Sequence, residues 1–254
     1  MLTLVFHLPE LARYLLLLCR TSGVLMVAPL VGSERLPSRV KLALAATTAL
    51  VLAPAAGPVP EADGAGYMAL QAAGEVVVGL TIGFAARMVF AAVQIAGEMA
   101  DTQAAFGFAG VVSPDAGERT SVIGQLQMAV AWLVFLAANG HHIVLEGLAA
   151  SLSAVPLGTG VGFSAPVLTR AAAGLIASGV CMAAPVVGAV MLADFGLGLL
   201  GRAAPQMNLL AVGFPIKLAV GLVTALFALP LLVAAEHDLL RTMADIIGGV
   251  IAAR

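Results

Sequence analysis

Few residues in this chain are placed to do chemistry. His142 and Glu146 stand four apart, so on a helix they share a face, and with His141 they could bind a metal ion. Adjacent histidines leave a helix toward different faces, however, and no third spaced ligand is near. The alternative is that Asn139-Gly140-His141 caps a turn, with the imidazoles bonded to backbone carbonyls at a helix end. A second group is Arg87, Gln94, Glu98 and Asp101. At about 100° per residue these four fall within an arc of roughly 60°. Arg87 and Glu98 would lie about 16 Å apart along the axis, too far to neutralise each other. Such a stripe is costly in lipid, so it should face a partner chain or water. Its carboxylates could relay protons in a transporter, or they could sit at a subunit contact. No serine-histidine-aspartate, GxSxG, HExxH, CxxC or phosphate-loop pattern is present. No catalytic residue, cofactor or bound metal is therefore expected.

The elements that must position these groups are apolar. Of 254 residues, 61% are hydrophobic and only 10% charged, and mean hydropathy is +1.06. Soluble domains carry about 25% charged residues, so the composition is that of an all-α integral membrane protein. The net charge of −2 says nothing useful about a nucleic-acid partner, but no basic run is present, so no nucleic acid is expected as a partner and membrane lipid is. Cys19 and Cys181 sit in apolar runs and read as small core residues. Glu10, Arg13 and Arg20 in and before the first apolar run argue against a cleavable signal peptide.

Apolar segments are expected over roughly 11–31, 40–56, 67–103, 121–138, 143–155, 171–193 and 218–235. The positive-inside rule puts the loop with Arg35, Arg39 and Lys41 in the cytoplasm and the loop with Glu61 and Asp63 outside, which starts the N-terminus outside. Gly79 and Gly83 are spaced for close helix packing. The run 143–155 is too short to cross ~30 Å and reads as a re-entrant or hairpin arm. Pro185 interrupts the next segment, and the glycines and two prolines of 195–217 are expected to break regular helix, with Arg202 and Lys217 favouring a cytoplasmic side. Pro230 lies in the last apolar segment, and the tail beyond Glu236 is amphipathic and mixed in charge. Segments this short and proline-rich are poor stand-alone spans and are the kind held by protein neighbours.

Between the third and fourth segments lies a loop, about 106–120, with Gly107, Gly110, Pro114 and Gly117. Loops of this length inside compact bundles are usually functional or disordered. Its first half carries no charge, so it should pack against something rather than sit in water.

Three stretches carry a family likeness: RTSGVLMVAPLVGSERLPSRVK from Arg20 to Lys41; FGFAGVVSPD, FLAANGHH and SLSAVPLG between Gly97 and Gly158; and GRAAPQMNLLAVGFPIKLAVG from Gly201 to Gly221. They resemble the FliR family of flagellar biosynthetic proteins, whose counterparts are the T subunits of virulence type III secretion export gates. Its motif positions fall on Asn139, Gly140, His141, Arg202, Pro205, Gln206, Asn208 and Lys217. The resemblance implies proline-broken helical hairpins that lie largely above the bilayer in a hetero-oligomeric gate. It implies FliP, FliQ, FlhB and FlhA as partners, unfolded flagellar proteins as export substrates, and a bacterial inner-membrane site in the flagellar basal body. It also implies that the loop after the third helix plugs the channel, here with Phe106 and Phe108 as stoppers among Gly107, Gly110, Pro114 and Gly117. On this reading the chain is one membrane domain: helices over 11–103, plug over 106–120, helix and hairpin arm over 121–165, C-terminal hairpin over 166–240 and tail over 241–254. A virulence-type subunit is the nearest alternative. A stand-alone transporter, using the stripe and the broken segment after Gly196, is the next, although no internal repeat supports it. A membrane enzyme is the weakest, for want of catalytic residues.

Overall fold

Seven α-helices and one 3-10 turn make up the regular structure among the described residues of this computed structural model, with no strand. The described residues are 8–29, 32, 36–60, 64–105, 122–159 and 165–252. The helices are α1 (Leu8–Val27), α2 (Ser38–Leu52, extended by the 3-10 turn Ala53–Ala55), α3 (Ala65–Gln103), α4 (Val122–Ala137), α5 (Gly140–Ala154), α6 (Ala165–Ala203) and α7 (Leu209–Ala252). Four of them are long and apolar enough to cross a membrane: α2 with its extension, α3, α6 and α7. A fifth crossing is added if α4 and α5 count as one broken span. The protein is thus all-α and membrane-integral. With 39, 39 and 44 residues, α3, α6 and α7 measure about 58, 58 and 66 Å, roughly twice a ~30 Å hydrocarbon layer.

The C-terminal half corrects the expectation of irregular backbone over 195–217. Helix α6 runs through Pro185, Asp194, Gly196 and Gly198 to Ala203, and α7 runs through Pro215 and Pro230. Only 204–208 leaves the helix, where Ala204 precedes Pro205 and is biased away from helical torsions. The prolines after it fail to break α7 because an apolar setting offers freed backbone groups no other partners. Each proline loses one intrahelical bond, whereas unwinding would lose several. The segment beyond Glu236 is likewise no separate tail but the continuation of α7.

The described residues fall into two compact units. The first draws on Met1–Met88, Asn139–Ala172 and Arg241–Arg254; the second on Val89–Ala138 and Ala173–Leu240. In the first, Leu16, Leu17, Ala49, Ala56, Leu152 and Leu157 form a buried cluster that Tyr14, Leu18 and Val59 complete. In the second, Ala100, Ala104, Ile123, Val186, Val190 and Ala225 do the same with Val220. Alanines make up half of the second cluster, which lets helix backbones approach closely, as in membrane bundles.

Candidate functional site

In the first unit, glycines set the geometry. A Cβ on Gly79 would fall on the Arg20 carbonyl oxygen; one on Gly23 would sit 2.6 Å from the Val76 carbonyl oxygen, and one on Gly83 2.6 Å from that of Val24. Helices α1 and α3 therefore meet backbone to backbone, as the Gly79/Gly83 spacing led us to expect. That approach brings Arg20, wholly buried, onto Glu75. The Arg20 Nε donates to Glu75 Oε2 at 2.5 Å, Nη1 donates to the Ser151 carbonyl (3.0 Å) and Oγ (3.1 Å), and Nη2 donates to the Val155 carbonyl at 2.8 Å. The other Glu75 oxygen accepts the Gly158 N–H at 2.8 Å, from a glycine at φ +75°. One guanidinium thus ties α1, α3, the end of α5 and the turn after it. Four of its five N–H donors are spent on fixed partners, so the arrangement clamps rather than reacts. Beside it, the Nε2 of buried Gln71 has no hydrogen-bond partner among the described residues.

At the start of α5, Asn139 takes the left-handed conformation (φ 55°, ψ 34°), and its carbonyl accepts the His142 N–H at 2.8 Å. The rings of His141 and His142 lie 4.2 Å apart, tilted by 47°. They do not diverge as adjacent helical side chains are expected to. The His141 Nδ1 is buried with no hydrogen-bond partner among the described residues, while His142 and Glu146 are exposed.

In the second unit, Asp101 at the last turn of α3 is buried, at 4% exposure. Its Oδ1 accepts the Ile123 N–H at 2.9 Å and its Oδ2 the Gly124 N–H at 3.0 Å. These are donors that the first turn of α4 cannot satisfy internally, so α3 caps α4 across a gap of some twenty residues. A Cβ on Gly97 would collide with Gly124 Cα, one on Gly221 would sit 2.5 Å from Ala104 Cβ, and Ala105 takes φ +64°. Phe90, Trp132 and Phe135 pack as an aromatic trio beside this contact. Asp101 therefore parts from the stripe in which the sequence placed it. Gln94 and Glu98 are exposed and bonded to each other (2.9 Å), and Arg87 is exposed, whereas Asp101 turns inward to satisfy backbone. Phe106, Gly107, Phe108, Gly110, Pro114 and Gly117 lie outside the described residues.

The α6–α7 connection carries the remaining motif residues. Arg202, Pro205, Gln206 and Asn208 are all exposed, and Asn208 caps α7, its carbonyl accepting from Val212 and its Oδ1 from Ala211 at 3.3 Å. Two to three turns back from this tip, Lys217 Nζ pairs with Asp194 Oδ1 at 2.6 Å. Phe195, Leu199 and Leu210 stand exposed around the tip and Phe227 further along α7, reaching 82% for Phe227.

A sequence profile described as bacterial export proteins, family 1, matches residues 11–243. The chain belongs to this family. Among its relatives, the flagellar biosynthetic protein FliR of Bacillus subtilis (strain 168) is 31% identical over 215 residues, 83% of either chain. FliR of Escherichia coli (strain K12) is 30% identical over 239 residues, 91% of this chain and 90% of the relative. The Yop proteins translocation protein T of Yersinia pestis is 26% identical over 244 residues, 92% of either chain. Export family 1 therefore includes both flagellar and translocation proteins, and the likeness seen in the sequence is borne out. The polar groups found here fasten helices together: Arg20 and Glu75 join α1, α3 and the end of α5, and Asp101 joins α3 to α4. The Arg20–Glu75 pair was not singled out from sequence. The one signal was that each charge stands alone in an apolar run, where it must find a partner of opposite sign.

Proposed function

We propose that this chain is a non-enzymatic subunit of a flagellar type III export gate. It sits in the bacterial inner membrane at the flagellar basal body and closes, as one copy, a spiral of several FliP and FliQ copies. FlhB and FlhA attach to that gate, and unfolded flagellar proteins pass through it. The observation that carries this reading is the family match over residues 11–243, with flagellar relatives at 31% and 30% identity. The translocation relative, at 26%, makes a virulence-type gate the second reading. Helices about twice as long as a bilayer is thick support the hairpins rising out of the membrane. The bare apolar flanks of α6 and α7 would be covered by lipid and, in the gate, by companion subunits. Exposed Arg87, Gln94 and Glu98 are proposed to face a neighbouring subunit, and residues 106–120 to plug the bore.

Purification of the tagged chain from its native membrane, followed by imaging and copy counting, tests the reading. One copy among several copies of two other small apolar proteins is the expected result. Recovery of the chain alone, or as a homo-oligomer active in vesicles, overturns it.

A further inference from the structure

The buried face of α7 is a continuous stripe. Ala225, Leu232, Leu239, Leu240, Met243, Ile246 and Ile247 are all nearly inaccessible, and at helical spacing they share one side. One ionisable residue stands inside this stripe: Glu236, 3% exposed, between Leu232 and Leu239. Both of its carboxylate oxygens are buried, and neither has a hydrogen-bond partner among the described residues. The charged and titratable residues near it on α7, His237, Asp238, Arg241 and Asp245, are exposed on the other sides of the helix. No cation among the described residues pairs with Glu236.

A carboxylate in such a place has two ways to avoid the cost of an unpaired buried charge: acquire a counter-charge or acquire a proton. The contrast with the other buried carboxylates is direct. Glu75 has a guanidinium and a backbone N–H, and Asp101 has two backbone N–H donors. Glu236 has neither kind of partner. We propose that Glu236 is a proton-binding site: buried in the α7 stripe without a counter-charge, it holds a proton there as a neutral carboxylic acid. Ionisable groups inside membrane helices mark proton or ion sites more often than inert packing. The inference is independent of the export-gate reading, since it concerns the state of one side chain whatever the assembly does.

The test uses the complex taken from its native membrane in mild detergent. Infrared spectroscopy reads the carbonyl stretch of protonated carboxyl groups, and Glu236→Gln removes the group while keeping its shape and neutrality. A protonated-carboxyl band in the unaltered protein that is lost in E236Q is the expected result. Dicyclohexylcarbodiimide supplies a second reading, because the acid O–H adds across its N=C=N bond and the acylisourea rearranges to a stable acylurea found by peptide mass spectrometry. Modification is expected at Glu236 and not at Glu75. No difference between the two proteins in the protonated-carboxyl band overturns the proposal whatever the reagent does, and assigns Glu236 a counter-charge from a companion subunit. If E236Q cannot be recovered, the site of carbodiimide modification decides: acylurea at Glu236 supports the site, and its absence there overturns it.

Discussion

Arg20 and Glu75, fifty-five residues apart in sequence, meet at 2.5 Å with side chains 0% and 3% exposed. Each is a lone charge in an apolar helix. Neither could rest in lipid or in a packed core without the other, so their meeting fixes both the rotation and the depth of α1 against α3. The pair also reaches the end of α5 through Ser151 and Val155 and the following turn through Gly158.

Removing one partner should therefore cost more than removing both. Glu75→Gln or Arg20→Met leaves a buried charge or an unmet donor set, for which about 3–5 kcal/mol is typical. The double change R20M/E75M should recover much of that loss. Thermal unfolding of the detergent-solubilised protein, followed by size-exclusion profile, reads the order. A double variant no better than the worse single one would show that Ser151, Val155 and Gly158, rather than charge pairing, dominate the clamp.

Two glycines separate close packing from chain flexibility. Gly79→Ala puts a methyl group onto the Arg20 carbonyl, and backbone cannot move aside as a side chain can. Gly174 lies in α6 with open space where its Cβ would be. Gly174→Ala should be neutral or stabilising by up to about 1 kcal/mol, whereas Gly79→Ala should lower the yield of folded chain several-fold. Expression of the two variants side by side, with folded material quantified by gel filtration, makes the comparison. Equal yields would deny the backbone contact.

Helix positions and the family likeness were legible because they rest on composition, periodicity and short motifs, all local in sequence. The α1–α3 contact was half legible: Gly79 and Gly83 announced small surfaces, but their partners on α1 did not show. The C-terminal helices were misread because Pro215, Pro230 and the glycines of 196–201 were weighed as in water, where a broken turn finds solvent partners. Asp101 was misread for another reason. Helical phase placed it with Glu98, yet phase says nothing about which donors stand opposite, and the bare N–H groups of Ile123 and Gly124 belong to another element.

Asp101 and Glu98 should accordingly fail in different ways. Asp101→Ala leaves two N–H donors of α4 unmet, and loss of a cap typically costs about 1–2 kcal/mol. The isolated chain should melt earlier while whatever folds still joins its companions. Glu98→Ala, with Gln94→Ala beside it, removes an exposed pair that holds nothing else in place. It should leave the melting point unchanged and weaken co-purification of the companion subunits. Thermal unfolding and quantitative pull-down on the same preparations separate the two. Weakened pull-down for D101A with an unshifted melting point would return Asp101 to the stripe.

Lys217 and Asp194 form an ion pair with solvent access, at 27% and 40% side-chain exposure. Exposed pairs of this kind contribute only about 0.2–1 kcal/mol in water. The charge-swapped double variant K217D/D194K should therefore unfold within a degree or two of the parent in detergent, and each single change should be mild there. In the bilayer the outcome differs if the pair lies at membrane depth. A lone charge would then cost roughly 2.5–3.5 kcal/mol on insertion scales, and the single variants should lose membrane integration while the swap retains it. Protease protection of native membranes, compared with melting in detergent, reads the difference. Single variants that integrate as well as the parent would place this stretch of the α6–α7 hairpin outside the hydrocarbon layer, as helices about twice its thickness allow.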